Sequence, residues 1–186
     1  TWLEQNDAQG TPEIRQYGIA ALINGSEQAA AFTGSQTNAY TGQRVGKNYS
    51  IQGNILLGPE ILDSMEANFL SADGDLKCKL MAAMQGANVI GADTRCTSNG
   101  TSSLFAFLKV AKPNDTFGNP SFLVSVQTPS GSSIEPVDSL QILFDQANPA
   151  GCQPLVQLKD DFKDVIKIFP NPAADYINIS FGNSES

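Results

Sequence analysis

The sequence predicts an α+β fold, and three features of it carry that prediction. Two β-rich runs flank Asn24-Gly25, two helical stripes follow one another between residues 59 and 86, and strands do not alternate regularly with helices. Hairpin-linked strands with helices grouped between them build separate layers, whereas a parallel sheet needs a crossover helix between successive strands.

Trp2 and Leu3 give Thr1 to Asp7 the character of a helix end, and Thr11-Pro12-Glu13 reads as a turn. Tyr17 to Ile23 and Gln28 to Thr33 are predicted strands, joined at a pair that tolerates the positive φ angles of a tight hairpin. Gly34 to Lys47 is polar and glycine-rich and reads as a loop. Tyr49 to Leu56 reads as a strand in which Gly53 marks a bulge or a close backbone approach. Pro59 suits the first turn of a helix that places Ile61, Leu62, Met65 and Phe69 on one face. Ser71-Ala72-Asp73-Gly74 breaks it, and Asp75 opens a second helix carrying Leu76, Leu80, Ala83 and Met84 to an end near Gly86. Asp73-Gly74-Asp75 has the start of a calcium loop without its later acidic ligands, so an interhelix turn with an N-cap is expected. Gly91 to Ser102 is turn-rich, Ser103 to Val110 and Phe122 to Val126 are strands, and a last helix runs from Pro136 to about Gln146.

The domain reading is a main domain over 1–147, a linker over 148–163 and a second module over 164–186. The last holds two short strands, Val165 to Phe169 and Tyr176 to Phe181, around Pro170-Asn171-Pro172. Two strands bury no core alone, so the second module is expected to be cut short.

Hydrophobic residues make up 41% of the chain and charged residues 16%, enough for a buried core and against global disorder. A net charge of −8 repels phosphate backbones, so nucleic acid is not an expected partner. No apolar run approaches the roughly 20 residues that cross a bilayer, so the chain is not expected to span a membrane. The absence of histidine removes the commonest general base and zinc ligand. No metal site and no cofactor are therefore expected. Cys78, Cys96 and Cys152 lack a CxxC spacing. Cys78 pairing with Cys96 is the expectation, leaving Cys152 over, and three buried free thiols are the alternative. Thr1 stands where a Met would start a natural chain. An N-terminal Thr is the nucleophile of one hydrolase class, but a helix end is not the buried strand such a residue opens, and the expected reading is a fragment boundary.

Two stretches carry family resemblances. Ile166 to Ile179, with Phe169-Pro170-Asn171-Pro172 and then Asp175-Tyr176-Ile177, resembles the opening of the C-terminal sorting domain read by the type IX secretion system of Gram-negative bacteria. That resemblance implies a small β-sandwich, the type IX machinery as partner, and export through the periplasm and outer membrane to the cell surface or medium. Phe32-Thr33-Gly34, Tyr49 to Leu56 followed by Gly58-Pro59-Glu60, and Gly91-Ala92-Asp93-Thr94-Arg95 resemble a family of unknown function, DUF 1028, whose members are similar in fold to N-terminal-nucleophile (Ntn) hydrolases. The last stretch departs from the family form, with Ala92 and Cys96 where glycines are usual. The resemblance implies a partial Ntn-hydrolase-like layered domain, with its nucleophile on a strand upstream of Thr1, and an amide-bond hydrolase or a non-catalytic binding protein on that scaffold.

The candidate site residues follow. Asp93 and Arg95 form either a site for a polar or carboxylate-bearing ligand or an ion pair pinning the loop, the structural role being favoured. Gln52 and Asn54 share a strand face and either orient a substrate and donate to an oxyanion or satisfy neighbouring backbone.

Overall fold

The computed structural model describes residues 2–153 and the strand segments Ile166–Phe169 and Asn178–Phe181. The chain divides into two compact units, Thr1–Gln153 and Pro154–Ser186. The fold of the first is a mixture of helices and small antiparallel sheets, as the α+β expectation requires.

After a short helix α1 (Trp2–Gln5) and a 3-10 turn at Pro12–Ile14, β1 (Gln16–Ile23) and β2 (Ser26–Thr33) form a hairpin. Their register runs from Gln16↔Thr33 to Ile23↔Ser26. The connection is Asn24-Gly25 at φ 51° and 78°, the paired positive values that match a two-residue turn to the twist of its strands. Asp7 holds the entry to this hairpin. Its carboxylate accepts from the backbone N–H groups of Thr11 and Gln9, from Arg15 Nε and from the Tyr17 hydroxyl.

The segment read as a loop contains a strand. β3 (Gly42–Val45) pairs with β4 (Ser50–Gly53), Gly42 opposite Gly53 and Val45 opposite Ser50. Gly-Gln-Arg-Val has no apolar alternation to announce it. Tertiary partners hold it instead: the Thr33 hydroxyl donates to Gln43 Oε1 at 2.8 Å, and Arg44 Nε donates to Asp63 at 2.7 Å.

The helices fall where their stripes predict, α2 over Pro59–Ser71 and α3 over Leu76–Gly86, and the Asp75 side chain caps α3 by accepting from the Cys78 N–H. The two cross so closely that a Cβ on Gly86 would sit 2.5 Å from the backbone nitrogen of Met65. β5 (Phe105–Val110) and β6 (Phe122–Gln127) form a third antiparallel pair, and α4 (Pro136–Ala147) follows. Ala106 and Leu108 of β5, Met81 of α3, and Val137, Leu140 and Phe144 of α4 make the main core. In the second unit β7 (Ile166–Phe169) pairs antiparallel with β8 (Asn178–Phe181). Pro170, Asn171, Pro172, Asp175 and Ile177 lie outside the described residues. Among the described residues no helix is long and apolar enough to cross a membrane.

The cysteine pairing differs from expectation. Cys78 is bonded to Cys152, and Cys96 is free and buried. Nearness in sequence favoured Cys96, but that residue is held under the 3-10 turn Thr94–Asn99, its N–H donating to the Asp93 carbonyl at 2.9 Å. After α4 the chain turns back over the start of α3, bringing the Cα atoms of Cys78 and Cys152 to 5.6 Å, within disulfide reach. Asn148 lies beside both sulfurs, at 3.9 Å from each.

A bond across a sequence separation of 74 removes about 4 kcal/mol of unfolded-state freedom. Urea unfolding is therefore expected at lower midpoint under reductant, and Cys152→Ser is expected to match the reduced protein. The single thiol of the oxidised chain is expected to react with a thiol reagent only after unfolding. Fast reaction in the native state would contradict the burial of Cys96.

Candidate functional site

The site is organised by a short segment that follows β4. The strand stops at Gly53, and Ile55 takes a left-handed φ of 58°. A β-branched residue there costs about 1–3 kcal/mol and persists only when its surroundings dictate it. They do so from both sides. Ile55 N–H donates to the Asn38 carbonyl at 3.0 Å, and Leu56 exchanges hydrogen bonds with Tyr40 at 3.0 and 3.3 Å. On the other side Leu57 N–H donates to the Ala92 carbonyl at 3.0 Å, while Thr94 N–H and its hydroxyl donate to the Ile55 carbonyl at 3.0 and 3.1 Å. Leu56 and Asp93 form an isolated antiparallel bridge.

This kink separates the two side-chain amides that the sequence places on one face. Gln52 remains on the strand and lines two neighbouring cavities. One, of about 390 Å³, lies between β4 and β5 over α2 and α3, with Tyr49, Phe69, Met84 and Phe107 among its walls. The other, of about 380 Å³, is lined by Gln52, Asp93, Ser102 and Ser103 over an apolar floor that includes Leu62 and Met65. The Ser50 hydroxyl donates to Gln52 Oε1 at 2.7 Å, which fixes the amide and leaves its Nε2 without a hydrogen-bond acceptor among the described residues. Gly18 of β1 makes room for it, since a Cβ there would lie 2.2 Å from Gln52 Nε2.

Asp93 meets Gln52 at the second cavity; Arg95 does not line it. Arg95 Nε donates to both carboxylate oxygens of Asp93, at 2.9 and 3.2 Å, and its backbone N–H donates to Oδ1 at 3.0 Å. Hydrogen bonds from Arg95 hold the Asp93 carboxyl below the usual carboxylate range against its partial burial. The same oxygen caps the 3-10 turn. Cys96 beneath it has its thiol pushed up by burial, the reverse of what a nucleophilic cysteine needs. Ser102 is also committed: its N–H and hydroxyl donate to Glu135 at 2.7 and 2.5 Å, and Glu135 caps α4 by accepting from the Val137 N–H.

Asn54 stands off the strand at a different surface, a polar groove of about 550 Å³ shared with Gln16, Gln36, Thr37 and Asn38. Its Nδ2 donates to Gln16 Oε1 at 3.2 Å. Of the four candidates, Gln52 and Asp93 come together, and Asn54 and Arg95 do not join them. Sequence reasoning missed Gln16 and Glu135. Gln16 had a readable signal, being the polar residue that opens the otherwise uncharged and mostly apolar strand β1 and faces Thr33 at the open end of the hairpin. Among the described residues no group of three His, Cys, Asp or Glu side chains could hold a metal ion.

The model of a family of unknown function, DUF1028, matches residues 2–129. The chain belongs to this family. The matched span contains the kink, Gln52, Asn54, Asp93 and Arg95, while α4 and Cys152 follow it. A crystal structure of a DUF1028 protein from Silicibacter pomeroyi is similar to this chain at 22% identity and a TM-score of 0.55, over 78% of this chain and 56% of that one. At that identity the likeness shows a shared DUF1028 fold alone, and the chain spans little more than half the length of its relative. No curated protein matches the chain.

Asp93→Asn removes a charged cap and an ion pair together, and is expected to cost about 1–2 kcal/mol at pH 7. The Asp93 carboxyl is lowered on folding, so its contribution is complete above the unfolded value of about 4 and is lost as pH falls through the lower folded value. Urea titrations of both proteins are expected to differ at pH 7 and converge in acid. A difference that grew on acidification would contradict the assignment.

Proposed function

We propose that this chain is the later part of a secreted Ntn-hydrolase-like domain that cleaves amide bonds in the cleft at Gln52. The observation that carries the reading is the Gln52 carboxamide, oriented by Ser50 and keeping its N–H groups uncommitted beside a cavity. An uncommitted, pre-aimed N–H is the donor that the oxyanion of an acyl-transfer intermediate requires. The nucleophile would be a Thr, Ser or Cys opening a strand upstream, with its own α-amine as base. Attack on the amide carbonyl would form the acyl-enzyme and release the amine, and water would then release the acid.

Three features support a larger layered domain around residues 1–147. The structural relative is longer than this chain. The β1–β2 hairpin exposes Ile19, Leu22 and Ile23, and β5–β6 exposes Phe105, Phe107 and Leu123 on the face away from the core. Apolar residues on both faces of a ribbon are the pattern of strands covered on both sides. The third is the separation of β4 and β5, which belong to different two-stranded sheets on either side of the cleft. Of the linker read at 148–163, residues 148–153 pack with the first unit through the Cys78–Cys152 bond, and a sorting module from 164 completes the reading. The Phe169-Pro170-Asn171-Pro172 sequence with Asp175 and Ile177 supports type IX export to the cell surface or medium.

A second reading, a secreted binding protein without chemistry, is favoured by one observation. The carboxylates around the kink are already committed: Asp93 to the Arg95 guanidinium, and Glu135 to the N–H and hydroxyl of Ser102.

The test uses the full-length natural protein and a panel of acyl p-nitroanilides. The enzyme reading expects turnover that Gln52→Ala lowers about 10²-fold in kcat with the fold intact, and no turnover by residues 1–186 alone. A folded, full-length protein inert on the whole panel selects the binding reading. Deleting residues 164–186 is expected to retain the protein in the periplasm. Unchanged appearance in the medium would remove the type IX proposal.

A further inference from the structure

We infer that the groove at Gln16, Thr37 and Asn54 is a binding site for an uncharged oligosaccharide. This goes beyond the reading of the Gln52 cleft and holds whether or not that cleft is catalytic.

The first argument is charge. Arg15 is the cation lining the groove, and it is already used: its Nε donates to Asp7 at 3.1 Å and its Nη2 to Gln9 Oε1. The Asp7 side chain is 3% exposed and carries hydrogen bonds from Thr11, Gln9 and Tyr17 as well. Its pKa falls to about 2, chiefly through the Thr11 N–H, so the pair stays mutually neutralised across the physiological range. An ionic ligand therefore finds no free counter-charge here.

The second argument is chemistry. The remaining polar lining is four carboxamides, Gln16, Gln36, Asn38 and Asn54, with the Thr37 hydroxyl. A carboxamide offers a donor and an acceptor side by side. Vicinal sugar hydroxyls, each both donor and acceptor, match that arrangement, and Ile14 supplies an apolar rim for a sugar's C–H face. The volume of about 550 Å³ lies within the range of small-ligand sites, roughly 300–1,000 Å³.

The third argument is preorganisation. The two N–H groups of Gln16 Nε2 are shared among Thr33 Oγ1, the Gly42 carbonyl and the Gly53 carbonyl, each at 3.1 Å, with Thr41 Oγ1 at 3.5 Å. That leaves Gln16 Oε1 to take the Asn54 amide at 3.2 Å, which turns Asn54 Oδ1 outward as an acceptor. The Thr37 hydroxyl donates to the Gly34 carbonyl at 2.8 Å and lies 3.0 Å from Thr41 Oγ1, which fixes its oxygen and leaves it one further lone pair as an acceptor. These same bonds exclude an extended peptide as occupant. The Gly42 and Gly53 carbonyls at this end of β3 and β4 accept from Gln16, and apart from Gln16 at the start of β1 the lining residues lie outside the strands, so no strand edge is open for a ladder.

The experiment is a ¹⁵N chemical-shift titration of residues 1–186 with chitobiose and, separately, cellobiose. The expected result is saturable shifts at residues 14–16, 36–38 and 54 with at least one of the sugars. Asn54→Ala, an exposed substitution that leaves the fold in place, is expected to weaken binding about tenfold. Gln52→Ala is expected to leave it unchanged, which keeps this site distinct from the cleft. The inference is overturned if neither sugar gives saturable shifts at these residues, if Asn54→Ala binds as well as the parent, or if tetra-alanine or glucuronic acid binds more tightly than both sugars.

Discussion

The rest of the structure depends on the backbone ladder that stitches residues 55–57 between 38–40 and 92–94. One short segment gives and takes hydrogen bonds on both sides, to Asn38 and Tyr40 on one and to Ala92 and Thr94 on the other. Because it is held twice, it can sustain the left-handed Ile55 that ends β4. The consequence is positional. Without the kink, Gln52 and Asn54 would point the same way along a pleated strand. With it, one amide lines the cleft between β4 and β5 and the other lines the groove at Gln16.

The same ladder explains where charge is tolerated. Asp93 pairs with Leu56 through backbone, caps a 3-10 turn and binds Arg95, so its carboxylate is spent on architecture. Asp7 plays that part at the start of the hairpin. What faces the cavities is mostly neutral: carboxamides, hydroxyls and apolar walls. The carboxamides at these cavities, Gln52 and Gln16, are held in fixed directions by hydrogen bonds to their neighbours.

Much of the fold was legible because local chemistry and tertiary need agree. Asn24-Gly25 suits a tight hairpin, Pro59 and Asp75 suit helix starts, and the stripes on α2 and α4 are buried, whereas on α3 Leu76 is exposed and Cys78 and Met81 join Ala83 in the buried face. β3 was not legible, because Gly-Gln-Arg-Val becomes a strand through Gln43 and Arg44 meeting partners far away in sequence. The disulfide was misread for a related reason: spacing ranks partners by loop length, and the return of the chain after α4 over α3 is a tertiary fact. At the site, residue types were readable and grouping was not. Gln52 and Asn54 were divided by a backbone angle that no side-chain pattern encodes, and Gln16 entered through a contact with Asn54 across 38 residues.

The central claim is that the doubly held segment is a rigid frame and not a connecting loop. Native-state hydrogen exchange at the amides of Tyr40, Ile55, Leu56, Leu57 and Thr94 tests it most directly. The account predicts that these five exchange slowly, with one common opening free energy. Exchange at the rate of an open loop, or slow exchange on the 38–40 side with fast exchange on the 92–94 side, would contradict it.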